Sequence, residues 1–288
     1  MKKKQTIALI AITASTINSF MLRHIEILSK DYNLLIFCND TSLIRKKIPK
    51  NVLMININFK RQPNLIFDFV SFLSLLYFLV KYRPHLTISI TPKAGLITVI
   101  SSFIARISYR IHYFTGQTWV TKKGFVRFIY KISDRIIFKL SHHVLVDSSS
   151  QKKFLISNNI ISHDRSTVLL HGSVGGVNTK KFKYKKTTRD LLRKKLQISK
   201  NDFTFLYLGR MNKDKGIIDL IKAFQKIKNF HNIILVLVGP IEDEYIKNFI
   251  KENKKVIYVG ETLNPEKWFS MADILCLPSY REGFGSVV

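Results

Sequence analysis

The sequence predicts an α/β protein of two lobes, each built on a parallel sheet, and three observations predict it. Apolar runs of strand length alternate with segments of helical period almost from end to end, the pattern of parallel strands joined by helical crossovers. At 288 residues with 46% hydrophobic content, the chain exceeds the usual size of a single core, so two lobes are expected. The rhythm breaks once, at residues 171–188, where Gly172-Ser173-Val174-Gly175-Gly176 is followed by a basic run over 180–186. Glycine clusters of this kind mark a connection between compact units.

In chain order, residues 6–12 form an apolar run ending in Thr13-Ala14-Ser15-Thr16 and read as the first strand. Met1-Lys2-Lys3-Lys4 ahead of it has the look of a secretory leader, yet no clean cleavage site follows, so a cytoplasmic strand is the better reading. Further strands are expected at 34–38, 53–57, 86–90, 110–114 and 144–146, with helices over 17–30, 65–82, 94–107 and 122–140. The stretch 65–80 is the most apolar, but it contains Asp68, Ser71 and Ser74 and falls short of the ~20 residues of a bilayer span. It is expected as a core helix or one lying in an interface. Domain bounds are placed at 1–174, 175–200 for the connection, and 201–288. In the second lobe, strands are expected at 203–209, 233–239, 256–260 and 274–277. Residues 216–228 put Ile217, Leu220, Ile221, Phe224 and Ile227 on one helical face.

Forty-seven basic residues against nineteen acidic give a net charge of +28, which predicts attraction to phosphate, anionic lipid or nucleic acid. The first 172 residues carry 25 Lys/Arg against 7 Asp/Glu and the remainder 22 against 12, so the first lobe is the more basic. The cations are spread over an α/β scaffold with no recognisable nucleic-acid-reading element, and no nucleic-acid partner is expected. Cys38 and Cys276 each sit in an apolar run, as reduced, buried thiols do in a cytoplasmic protein. There is no Asp-x-Asp pair and no His/Cys cluster at ligand spacing; His142 and His143 are adjacent and would face opposite sides of a strand. No metal or other cofactor is expected.

Two motifs carry chemistry. In the first, Phe205-Leu206-Tyr207-Leu208-Gly209-Arg210 leads into Met211-Asn212-Lys213-Asp214-Lys215-Gly216 and a helix. Ligands of open α/β sheets bind at the C-terminal ends of strands, and free N–H groups at a helix start favour anions, so Arg210 and Lys215 are placed to grip a diphosphate. Arg supplies a planar fork and Lys a mobile point charge. In the second, Ala272-Asp273-Ile274-Leu275-Cys276-Leu277-Pro278-Ser279-Tyr280-Arg281-Glu282-Gly283-Phe284-Gly285 ends a strand in an acidic residue and glycines. Glu282 can accept hydrogen bonds from sugar hydroxyls, and the glycines let a ligand approach backbone amides. Each motif also has an ordinary reading, as a charged strand-to-helix loop.

Together, about seventy residues apart, these two motifs resemble the retaining glycosyltransferases of family 4, which have the two-lobed GT-B fold of Rossmann-like domains. Tyr258-Val259-Gly260-Glu261-Thr262, leading on to Trp268–Ala272, sits where that family binds the nucleotide base. The resemblance covers nearly the whole chain and is strongest in the second lobe. Thr91-Pro92-Lys93-Ala94-Gly95-Leu96, the run 112–124 beginning His112-Tyr113-Phe114-Thr115-Gly116-Gln117-Thr118-Trp119, and Gly172–Asn178 resemble bacterial members that extend lipid-linked oligosaccharides for capsule, O-antigen or glycoprotein glycans.

The resemblance implies a nucleotide-sugar donor, UDP-linked, and transfer with retention to a polyprenyl-diphosphate saccharide. It gives Arg210 and Lys215 to the donor diphosphate, and Glu282, as catalytic carboxylate, with Gly283, Phe284 and Gly285 to the donor sugar. It implies a functional His in the first lobe, for which His112 is the nearest candidate, and a first-lobe cleft edge formed by Thr13, Thr115, Gly116 and Gln117. Lys122, Lys123, Arg127, Lys131, Arg135 and Lys139 recur after the Thr-Gly-Gln turn; such a face could meet anionic lipid, which places the protein peripherally on the inner face of the cytoplasmic membrane. The sequence departs from the family at Asn178, where relatives carry Asp. The family's second acidic residue would fall two places beyond Val288, so the chain is read as C-terminally truncated with its second lobe incomplete. The rival readings are an inactive remnant, a basic nucleic-acid-binding protein, and a nucleotide-sugar epimerase of similar architecture.

Overall fold

The computed structural model describes residues 4–227, 230–242, 244–262, 264–280, 282–285 and 287. Of the residues singled out above, Met1, Lys2, Lys3, Lys228 and Arg281 lie outside the described residues. The chain divides into two compact units, Met1–Gly176 and Val177–Val288.

The first unit runs β1 (Thr6–Thr13), α1 (Ala14–Phe20), α2 (Leu22–Asp31), β2 (Asn33–Asn39), β3 (Leu53–Asn56), α3 (Leu65–Tyr82), β4 (Leu86–Ile90), α4 (Pro92–Ile104), β5 (Tyr109–Phe114), α5 (Gly124–Leu140), β6 (His143–Val146), α6 (Ser149–Ser157) and β7 (Ser166–Thr167). All seven strands are parallel, in the order β3-β2-β1-β4-β5-β6-β7. Right-handed crossovers then put α1 and α2 on one face of the sheet and α3 to α6 on the other. The alternation of a strand shows directly in β1. Ile7, Leu9 and Ala11 pack with Ile17 and Ile25, while Ala8, Ile10 and Ile12 pack with Leu75, Leu79 and Ala94. A strand buried on both faces reads as a continuous apolar run, which is why it was legible.

Helix boundaries differ from the sequence expectation in places with local causes. The helix expected over 17–30 is two, divided at Met21, whose φ of −114° (ψ −11°) is stretched from the usual helical value. Thr13 starts the first of them by accepting a hydrogen bond from Thr16 N at 3.3 Å. α4 begins at Pro92, earlier than expected, because proline is at home in the first helical turn. α5 begins at Gly124 after a 3-10 turn over Thr118–Thr121.

The second unit runs α7 (Lys186–Lys195), β8 (Phe203–Leu208), α8 (Ile217–Ile227), β9 (Ile233–Val238), α9 (Glu244–Glu252), β10 (Val256–Gly260), α10 (Pro265–Met271) and β11 (Ile274–Leu275). The four strands are parallel, in the order β10-β9-β8-β11. Ile217, Ile221 and Phe224 of α8 are buried against Leu235 and Leu237, the face its spacing predicted. α7, within the segment read as connection, packs on α10 in this unit. Arg189 Nη1 donates to Met271 O at 2.8 Å, and Arg189 Nη2 pairs with Asp273 at 2.6 Å.

In each sheet the strand order reverses once, between β1 and β4 and between β8 and β11. Crossovers leave these points in opposite directions, which opens a crevice at the C-terminal strand ends. Both crevices coincide with residues the sequence singled out.

Candidate functional site

The crevice of the second sheet is formed where the loop after β8 meets the segment after β11. A 3-10 turn over Lys213–Lys215, capped by Asn212 Oδ1 accepting from Lys215 N at 3.2 Å, delivers Lys215 and ends on Gly216. Gly216 has φ +66°, and a Cβ there would lie 2.0 Å from Pro278 O. Only glycine lets the two segments close to this distance. Their contact is reinforced by Tyr280 N donating to Asp214 O at 3.3 Å and Tyr280 Oη to Asp219 at 2.8 Å. Gly239, at the end of β9, makes a second close approach: a Cβ there would lie 2.0 Å from Gly209 O.

This packing leaves a cavity lined by Tyr207, Leu208, Gly209, Lys215, Leu277, Glu282, Gly285 and Val287. Lys215 Nζ contacts Glu282 Oε1 at 2.5 Å, both side chains about a quarter exposed. A charged pair at this exposure contributes little net stability, but it is reachable by solvent and can exchange partners with an arriving anion and hydroxyl. Burial, followed by the Glu282 charge, holds the Tyr207 hydroxyl well above its ordinary pKa, so it stays protonated; it donates to Arg210 O at 2.7 Å.

Among the second-lobe residues predicted from sequence, Lys215, Glu282 and Gly285 therefore come together on one cavity. Gly283 is buried and Phe284 half-buried in the chain between them. Arg210 differs. It follows the cavity-lining Gly209, but its guanidinium is held by Glu242, Nη1 to Oε1 at 3.3 Å, and the same carboxylate accepts from Asn212 Nδ2 at 2.7 Å. Its side chain is not among those that line the cavity.

The first-lobe residues are arranged otherwise. His112 is wholly buried, not at a cleft edge. It is the fourth residue of β5, and its ring packs edge-on to Phe114 with centroids 4.6 Å apart. Its Nδ1 is 2.9 Å from Ser89 Oγ, and Gly95 leaves room for the ring, since a Cβ there would meet His112 Cε1 at 2.4 Å. Burial pushes its pKa down to about 3. His112, the first-lobe histidine singled out from the sequence, is therefore a neutral interior residue whose side chain points into the core from β5. Gln117 is also buried, and its amide is consumed, Nε2 donating to Thr115 O at 3.0 Å and Oε1 accepting from Gln151 Nε2 at 2.8 Å. Gln151 Nε2 also donates to Thr115 O. Gln117 therefore pins the turn, while Gly116 is exposed and Thr115 half-buried. Thr13 lies at the β1 end, by the crevice, with its hydroxyl engaged as a helix cap.

Thr91 and Tyr113 entered the sequence reading only inside longer runs and Asp147 not at all, yet the structure gives all three distinctive surroundings at the ends of first-unit strands. Thr91, ending β4 beside the switch point, has φ +78° and ψ 146°. That conformation costs a non-glycine residue on the order of 1–3 kcal/mol and tends to mark functional positions. Its hydroxyl is buried with no hydrogen-bond partner. Asp147, just after β6, accepts from Val174 N at 2.9 Å, yet burial pushes its carboxyl up to about 6. Tyr113, also buried and with no partner for its hydroxyl, is pushed up to about 12 by burial and then by Asp147. An acid closing an apolar strand, Val144-Leu145-Val146-Asp147, was the one signal available. In the second unit Glu242 was missed because its role depends on β8 and β9 lying side by side.

Among the described residues no group of three or more His, Cys, Asp or Glu could hold a metal ion.

Residues 188–288 match the family of group 1 glycosyl transferases. The chain is 31% identical over 237 residues, 80% of its length, to the capsular polysaccharide biosynthesis glycosyltransferase CapM of Staphylococcus aureus, and covers 62% of that protein. It is 24% identical over 235 residues, 77% of its length, to the UDP-Gal:alpha-D-GlcNAc-diphosphoundecaprenol alpha-1,3-galactosyltransferase of Escherichia coli, and covers 59% of it. It thus spans about three-fifths of the length of these curated relatives. Its structure is similar to that of Anabaena HepE solved with UDP and glucose, with a TM-score of 0.76 at 16% identity over 98% of this chain and 77% of that one. At that identity the likeness is one of fold.

Proposed function

We propose that this chain, whose residues 188–288 match the group 1 glycosyl transferases and whose fold is that of GT-B proteins, transfers a sugar from a UDP-linked donor to a lipid-linked saccharide with retention of configuration. The observation that carries this reading is the cavity at the β8/β11 switch point, where a lysine and a carboxylate face each other beside Gly209 and Gly285. A diphosphate is an anion that Lys215 can hold, and Arg210, one residue beyond the cavity, can reach it once released from Glu242. Glu282, freed from Lys215, can accept hydrogen bonds from the donor sugar.

In the proposed reaction the bond between the anomeric carbon and the β-phosphate oxygen breaks, and UDP leaves with the electron pair, its charge met by Lys215 and Arg210. The acceptor hydroxyl forms the new bond on the same face, and its proton passes to the departing diphosphate. No metal takes part in this scheme. Two similar proteins support the choice of substrates: HepE was solved with UDP, and the Escherichia coli relative is a UDP-Gal:alpha-D-GlcNAc-diphosphoundecaprenol galactosyltransferase. A cytoplasmic protein bound peripherally to an anionic membrane, through its basic first unit, fits an acceptor of that kind.

The test is calorimetric titration of the 288-residue chain with UDP, followed by a transfer assay pairing UDP-sugars with a polyprenyl-diphosphate saccharide. UDP binding that Lys215→Ala weakens, with label moving to lipid, is the expected result. Donor consumption without any acceptor would indicate an epimerase. Salt-sensitive oligonucleotide binding, indifferent to UDP, would overturn the reading in favour of a nucleic-acid-binding protein.

A further inference from the structure

α3 is apolar almost throughout, and such a helix is ordinarily buried on all sides. Here only one side is covered. Ser71, Leu75 and Leu79 face the sheet and α4, while Ile66, Phe69, Val70, Leu73, Tyr77 and Val80 form an exposed stripe on the opposite side. The helix is long and apolar enough to cross a membrane, but its two ends feed β3 and β4 of one sheet, so it lies along that sheet and presents a flank.

A second apolar exposure stands near it. α3, α4 and α5 pack side by side on one face of the sheet, and each follows a parallel strand, so all three begin at the C-terminal edge of the strands. At that edge the first two turns of α5 expose Phe125, Val126, Phe128 and Ile129. Highly exposed apolar residues gather there: Leu65 at 90%, Ile66 at 76% and Phe125 at 74%. Exposed apolar patches of this extent mark an interaction surface.

The charge around the patch selects the partner. Lys60, Arg61, Lys122, Lys123 and Arg127 are exposed at the same edge, and in α3 to α5 the acids are confined to Asp68, which is paired with Lys93, and Asp134, which is buried. Arg127 and Lys131 crowd over the Trp119 ring at 5.7 and 4.7 Å. Lys131 has its pKa lowered, first by desolvation and then by Arg127 and Arg135, a crowding that an anionic partner would relieve. Apolar side chains ringed by lysine and arginine are the composition of a surface that lies in the headgroup layer of an anionic bilayer.

We propose that the first unit docks on an anionic membrane leaflet through this edge, with the stripe of α3 and the start of α5 entering the headgroup-acyl boundary and the surrounding cations meeting lipid phosphates. The proposal deepens the reading above, on which it rests for its purpose: the edge that meets lipid is the one on which the strand ends of the first unit open, where a lipid-linked acceptor would be delivered.

The test is flotation of the 288-residue chain with vesicles of phosphatidylcholine alone or with 30 mol% phosphatidylglycerol, without donor or acceptor, so that failure of the transfer reading does not affect it. Binding is expected only to the anionic vesicles. The pairs Ile66→Ser/Phe69→Ser and Phe125→Ser/Phe128→Ser, on exposed positions, should each lower partitioning by about tenfold or more, with unchanged circular dichroism and UDP binding. Lys122→Ser/Lys123→Ser should lower it and flatten its salt dependence. Phe69→Trp should show a blue-shifted emission quenched by brominated lipid. Absence of binding to anionic vesicles overturns the proposal. So does binding that the α3 and α5 pairs leave intact, or a dimer in solution that those pairs dissociate while vesicles bind nothing.

Discussion

The switch point of the second sheet and the β5 turn of the first handle polar side chains in opposite ways. At β8/β11 the functional candidates lie within reach of water and hold one another, Lys215 on Glu282 and Arg210 on Glu242. Along β5 and its turn, His112 and Gln117 are buried and tied to Ser89, Thr115 and Gln151. A partly exposed ion pair costs little to open, because water and a ligand can replace the partner. A buried polar group that loses its partner has no such replacement, and the loss costs about 1–3 kcal/mol. The β8/β11 site is therefore arranged to exchange partners and the β5 turn to keep them.

The largest expected effect breaks the second region itself. Gly216→Ala places a methyl 2.0 Å from Pro278 O on a backbone at φ +66°, and should destabilise the second unit by roughly 2–4 kcal/mol. Urea denaturation should show the loss, and UDP binding should disappear with it. Retention of wild-type stability would mean that the two loops do not depend on their close approach.

A sharper contrast sets Lys215 against His112. Lys215→Ala should weaken UDP binding roughly 10- to 100-fold, the range for a charge-assisted contact. His112→Leu should instead lower thermal stability while transfer per folded molecule stays within about twofold. If His112→Leu abolished transfer in folded protein, the histidine would have to reach substrate, against its buried position.

A further effect is one of pH and again separates interior from mouth. Asp134 is 2% exposed, accepts from Trp119 Nε1 at 2.7 Å, and has its carboxyl pushed by burial from 3.8 up to about 7. Its folded pKa lies above its unfolded one, so it binds a proton more readily when folded, and its contribution to stability is lost as pH rises from about 4 through 7. Asp134→Asn keeps the acceptor for Trp119 without the charge. The variant should therefore gain on the wild type as pH rises across that window, by at most about 1.4 kcal/mol per pH unit. Parallel pH-stability curves for the two proteins would show that Asp134 is ionised in the fold without penalty.

Much of this was legible in the sequence, and the reason is local. β1, β2, β8 and β9 announce themselves as apolar runs because a strand buried on both faces has no polar register to hide in. The Gly209-Arg210 and Lys215-Gly216 motif and the Glu282 to Gly285 run were recognisable because chain direction and glycine demand are properties of a few consecutive residues. Other features were not. Whether His112 or Thr115 stands at the mouth of β5 depends on where the strand ends and which way each side chain points, and those are settled by pairing with β4 and β6. The break at Met21 was hidden because the apolar period continues through it.

What the sequence determined by itself was the order of strands and helices, the parallel class of both sheets, and the residue types at the ends of β8 and β11, since each follows from periodicity and backbone preference within a short window. The tertiary structure alone decided which cations face which carboxylates, that His112 is interior, and that one flank of α3 is bare. Those are consequences of distant segments being brought side by side, where burial sets the cost of a charge and neighbours, rather than spacing along the chain, set its partner.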